Sequence, residues 1–149
     1  MQLELKLVWQ DTDIVELRVE AANDSFCGRT LAYTTREDLL HLADPLSTFP
    51  QTAADTFRYQ SAGDSPRLEL HFYCIDGAGH GAVRVHLRRD TASNSRAEEE
   101  DVVLLELVLG GANPGRFATC LRQIVAEGRG LAALFPAPGD HIERRSTTG

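Results

Sequence analysis

Leu3, Leu5, Leu7 and Trp9 alternate with Gln2, Glu4 and Lys6, the period of two that a half-buried strand requires. Val15, Leu17 and Val19 repeat the pattern, and Asp11-Thr12-Asp13 between the two runs is turn material. Apolar pairing alone allows Leu7 to face Val15 or Leu17. Cross-strand charge favours Val15, because Lys6 then meets Glu16 and Glu4 meets Arg18, whereas the other register sets Lys6 against Arg18 and Glu4 against Glu20. Past Asn23-Asp24-Ser25, Phe26 to Thr34 forms a third strand, with Gly28 marking a bulge or a close backbone approach. These three segments predict a meander.

Helical spacing begins at Leu39, Leu42, Ala43 and Leu46, after a capping-box-like start at Thr35 and Asp38. Pro45 lacks an amide proton, so the regular helix is expected to stop near Ala43 or Asp44 and to leave Leu46 and Phe49 in a tight extension. Residues 50–55 are a connector. Leu68 to Ile75 and His80 to Leu87 flank the loop Asp76-Gly77-Ala78-Gly79. Closing that loop with Ile75 opposite His80 brings Phe72 to Val83, Leu70 to Val85 and Leu68 to Leu87 on one face. The other face then carries Tyr73 with Ala82, His71 with Arg84 and Glu69 with His86. A slip of one residue destroys both patterns.

Residues 90–101 have no periodic apolar positions and are expected to form an exposed loop or a long mobile hairpin end. Val102 to Leu109 is apolar almost throughout, which predicts a central strand covered on both faces, with Glu106 needing a partner or a solvent-exposed end. Asn113 then offers an N-cap and Pro114 a first-turn residue for a helix whose stripe is Phe117, Cys120, Leu121, Ile124, Val125 and Gly128. Gly128 and Gly130 are stop signals, and Leu131 to Phe135 adds a packed turn. The order of elements gives an α+β class: a curled or sandwiched, mainly antiparallel sheet of about seven strands with two helices. Residues 1–135 are expected to form one domain and 136–149 a flexible C-terminal tail.

Composition narrows the functional classes. The chain of 149 residues carries 22 Asp and Glu against 15 Lys and Arg, a formal charge of −7 that argues against nucleic acid as a partner. No apolar stretch approaches the roughly 18 residues needed to span a bilayer, and the N-terminus lacks a basic segment before an apolar block, so a cytoplasmic location is expected. Cys27, Cys74 and Cys120 are an odd, scattered set and read as reduced thiols.

Catalytic signatures are missing: there is no Gly-X-Ser-X-Gly elbow, no phosphate loop ending in Lys and no His-Glu-X-X-His. Gly77-Ala78-Gly79-His80-Gly81 sits in a hairpin instead of opening a helix and is turn chemistry. His71, Cys74, Asp76 and His80 crowd one hairpin, yet strand parity sends Cys74 and His71 to opposite faces, so His80 is expected to bond Asp76 across the turn. No metal or organic cofactor is expected. Two surfaces stay in play. One is the acidic set Asp90, Glu98, Glu99, Glu100 and Asp101, a negative patch suited to steering a basic protein partner. The other is the polar strand face of His71, Tyr73, Arg84 and His86, suited to a small ligand or to enzymatic chemistry.

In Phe26-Cys27-Gly28, in Glu37-Asp38-Leu39 with Leu42, Leu46 and Phe49-Pro50, and in Asp76-Gly77-Ala78-Gly79-His80 before Val83-Arg84-Val85, the chain resembles the WapI-type immunity proteins of bacterial polymorphic toxin systems and related small bacterial proteins. What the resemblance implies is a non-enzymatic protein that occludes a cognate toxin. A structural homo-oligomeric subunit, pairing through a sheet face or edge, is the remaining class.

Overall fold

The computed structural model describes residues 2–89, 96 and 99–135. Strands β1 (Gln2–Gln10), β2 (Val15–Ala22) and β3 (Cys27–Thr34) lead into helix α1 (Arg36–Leu46). Strands β4 (Phe57–Gln60), β5 (Leu68–Cys74), β6 (Gly81–Arg88) and β7 (Val102–Val108) follow, then helix α2 (Asn113–Glu127) and strand β8 (Gly130–Leu134). They form two four-stranded antiparallel sheets, ordered β3-β2-β1-β8 and β4-β5-β6-β7. The α+β class with a mainly antiparallel, two-layered sheet is as expected. Residues 136–149 lie outside the described residues.

One apolar cluster joins both sheets and both helices, with Leu5 and Leu17 from the first sheet, Phe72 and Val85 from the second, Leu42 from α1 and Leu121 from α2. The sheets approach each other closely at Gly28. The β2–β3 ladder passes through it without interruption, and a methyl group there would lie 3.0 Å from Val103 Cγ2 on β7. Gly28 is therefore a close approach and not a bulge. The hairpin β5–β6 has the expected register, from Cys74 opposite Gly81 to Leu68 opposite Leu87.

The first hairpin corrects the charge argument. Leu7 faces Leu17, Lys6 faces Arg18 and Glu4 faces Glu20. Turn and bulge together decide this: Asp11 Oδ1 accepts from the amides of Asp13 and Ile14, and the Asp11 amide donates to the Ile14 carbonyl, which closes the loop with Gln10 opposite Val15, a register that without a bulge would set Leu7 against Arg18. Between Leu7 and Trp9 the register shifts by one residue at Val8, a bulge. Trp9 consequently leaves the core face that strict alternation predicts. Pairs of like charge on a solvated face cost only tenths of a kcal/mol, so they yield to turn and core.

Four further boundaries differ from the sequence pattern. Helix α1 continues through Pro45 to Leu46, because only the carbonyl one turn back loses a partner and the Ser47 amide still donates to Ala43 O. Thr35 caps its start, its Oγ1 accepting from the Asp38 amide. At α2 the N-cap is Ala112, and the Asn113 side chain donates instead to Phe135 O, tying the helix start to the chain past β8. Residues 130–134 form a strand paired with β1, not a packed turn. Finally, β7 is an edge strand whose outward Val102 and Leu104 are exposed, so its apolar run is not covered on both faces.

Candidate functional site

Of the acidic set, Asp90 and Glu98 lie outside the described residues. The other three carboxylates each meet an arginine: Glu99 meets Arg96 at 3.2 Å, Asp101 meets Arg89 at 3.4 Å, and Glu100 accepts a short hydrogen bond from Arg88. Three guanidiniums balance three carboxylates here. The described part of the run is thus an ion-pair lattice around the β6–β7 connection and not a bare negative patch.

The second surface is built by register. On the outer face of the second sheet, Arg58, His71, Arg84 and Glu106 stand side by side on β4, β5, β6 and β7, and Gln60, Glu69, His86 and Leu104 form the next row. All four residues expected on this face are brought together. Their partners are specific. Tyr73 donates its hydroxyl to Glu106 Oε2, which also accepts from Arg84 Nη2 at 3.3 Å, and this supplies the partner that Glu106 requires. His86 Nδ1 lies 2.8 Å from Glu69 Oε2. Thr56 Oγ1 donates to Phe72 O at 2.9 Å, and its lone pairs are then left to accept from His71 Nε2, also at 2.9 Å. Neutral His71 is therefore the Nε2–H tautomer, with Nδ1 the nitrogen that takes up a proton.

The row also sets the electrostatics. Partial burial, and after it the guanidiniums of Arg58 and Arg84, hold His71 below the ordinary imidazole range. Burial and the hydrogen bond to Glu106 raise the Tyr73 hydroxyl. Sequence reasoning missed Arg58 because β4 is only four residues long, although its Phe-Arg-Tyr-Gln alternation carries the signal.

The Asp76 turn behaves as expected. His80 Nδ1 and the His80 and Ala78 amides all bond its carboxylate, and the His80 contact is the main cause of its lowered pKa. No group of three or more metal-ligating side chains gathers among the described residues. All three cysteines are free, with Cys27 exposed and Cys74 half-buried against the core. No helix among the described residues is long and apolar enough to cross a membrane.

A third surface was not foreseen. Because of the Val8 bulge, Trp9 stands opposite Glu16, which stands opposite Tyr33, all on the outer face of the first sheet, and Trp9 is 50% exposed. Gln10 turns inward in its place, where its side chain accepts from Arg36 Nη1 at 3.0 Å and donates to Gly128 O at 3.4 Å. A polar residue at that junction of β1, α1 and the end of α2 is what the bulge accommodates. The next row holds Leu31, Arg18, Lys6 and Leu131. Comparison with family models, curated proteins and solved structures finds no match to this chain.

Proposed function

We propose that the protein acts by binding another protein, without catalysis, in the cytoplasm, and that its partner is a toxin domain with a basic surface, as the resemblance to immunity proteins implies. The observation that carries the reading is the bulge at Val8, which turns the sole tryptophan out to solvent on the face that also carries Tyr33, one strand beyond Glu16, and Arg18. Trp, Tyr and Arg are the residue types most enriched among the few that dominate protein interfaces. A half-exposed Trp on a strand that has an inward alternative marks an anchor. The net charge of −7 supports a basic partner by long-range attraction. That attraction belongs to the whole molecule, since the described end of the acidic run is paired.

The test is titration of disabled toxin domains encoded beside this chain, followed by the fluorescence of its one tryptophan. Saturable binding with a blue shift is expected, with an association rate that falls as salt rises. Trp9→Ala should weaken binding by about 2 kcal/mol or more, roughly thirtyfold, and change folding stability by no more than about 1 kcal/mol. Absence of binding to every neighbouring gene product, or full affinity in the Trp9→Ala protein, would overturn the reading.

A further inference from the structure

The outer face of the second sheet carries chemistry that a protein-binding role for the first sheet leaves unused. Arg58 and Arg84 flank His71 on neighbouring strands, which places their Cα atoms about 10 Å apart across it. Together with Gln60, Glu69, His86 and Leu104 they line a depression of about 300 Å³. Arg84 is anchored by Glu106, whereas no described carboxylate pairs with Arg58. The two carboxylates of this face are already engaged, Glu106 by Arg84 and Tyr73, and Glu69 by His86. A cation placed here would meet two guanidiniums. An anion would meet two guanidinium forks and an imidazole whose second nitrogen has no partner among the described residues.

We propose that this depression binds a small molecule through a carboxylate or phosphate group, its oxyanion held between Arg58 and Arg84 and over His71. Arg84 is the fixed arm, preset by Glu106 and Tyr73. Arg58, on the edge strand β4, is the mobile arm that completes the clamp. Occupation by an anion offsets the two positive charges beside His71, so binding draws a proton onto Nδ1 and the site takes up ligand and proton together. The polar and charged groups that face His71 are Thr56 and Arg58 beside it on the β4 side, Glu69 and Tyr73 on β5, Arg84 and His86 on β6 and Glu106 on β7.

The test follows the histidine ring signals by NMR while inorganic phosphate, and in a second arm acetate, is added at constant ionic strength near the ordinary histidine pKa of about 6.5. His41 on α1 and His80 in the Asp76 turn are internal controls. A saturable displacement of the His71 signals is expected, with a rise in its pKa and the controls unmoved; the anion that binds more tightly identifies the headgroup. Arg58→Gln should weaken binding at least tenfold, and Arg58→Lys should weaken it less. Because Arg58 is exposed and makes no described ion pair, neither change threatens the fold. His71 signals that move no more than those of His41 with either anion, or an Arg58→Gln protein that titrates like the parent, would overturn the proposal.

Discussion

The bare Cα of Gly81 lies against the Phe49 ring: a methyl group added there would meet Phe49 Cε1 at 2.8 Å. Phe49 cannot retreat easily, because it packs edge-on against Phe57 and Phe72, at centroid distances of 5.5 and 5.9 Å, while those two rings stack at 4.7 Å. Gly81→Ala is therefore expected to destabilise by about 1–3 kcal/mol through overpacking. Gly77→Ala, with open space around it, should stay within about 0.5 kcal/mol. Chemical denaturation of the pair checks this.

Phe72 and His86 test the two faces of the second sheet. Phe72 is fully buried and stacked on Phe57, whereas His86 lies on the outer face against Glu69. Phe72→Ala should cost about 3–5 kcal/mol and His86→Ala under about 1. Equal losses would mean the faces are wrongly assigned.

Tyr59 links the second sheet to the end of β3. Its hydroxyl donates to Thr34 Oγ1 at 2.8 Å, and burial pushes its pKa up to about 12. The unfolded phenol ionises near 10, so between 10 and 12 the folded chain holds a proton that the unfolded chain releases, and stability must fall as pH rises through that window. Tyr59→Phe should remove its share of this dependence and leave that of Tyr73, whose hydroxyl is also raised. It should also cost about 1–3 kcal/mol at neutral pH by leaving the buried Thr34 hydroxyl without that partner. Thermal melts of both proteins across the alkaline range decide it.

For His71 the sign is reversed. Its folded pKa lies below the unfolded value of 6.5, so as pH falls through 6.5 the unfolded chain gains a proton first and stability declines. Arg58→Gln removes one of the two neighbouring positive charges and should raise the His71 pKa and shrink the decline. NMR titration of the ring, beside acid unfolding curves, measures both effects.

Legibility followed constraint. The β5–β6 hairpin could be placed residue by residue because its loop length is short and both faces carry a pattern, so any slip buries His71 or exposes Phe72. The same logic failed for β1–β2. There the apolar sets fit two registers equally, and surface charges, the remaining signal, are weaker than the Asp11 turn and the Val8 bulge that together set the ladder. The bulge at Val8 has no compositional mark; it reconciles the turn with the pairing of Leu7 and Leu17 and lets Gln10 reach Arg36 and Gly128, partners 26 and 118 residues away. Strand β8, Gly-Leu-Ala-Ala-Leu, is too short for periodicity to tell strand from turn. On the second sheet, His71, Tyr73, Arg84 and His86 were legible as a face once the hairpin was fixed. Arg58 needed the neighbouring strand.

Pairing of β1 with β8 has a consequence for the order of assembly. Leu3 stands opposite Leu134, so the first of the described strands is completed by the last of them. During synthesis β1 and β2 can zip locally, yet β1 keeps one unpaired edge until residues 130–134 have left the ribosome. The second sheet, all of whose partners are neighbours in the chain, meets no such delay. A nascent chain halted after α2 would display the amides and carbonyls of β1 on an open edge, beside the inward-facing Leu3 and Leu5. Strand β8 is thus what closes that edge.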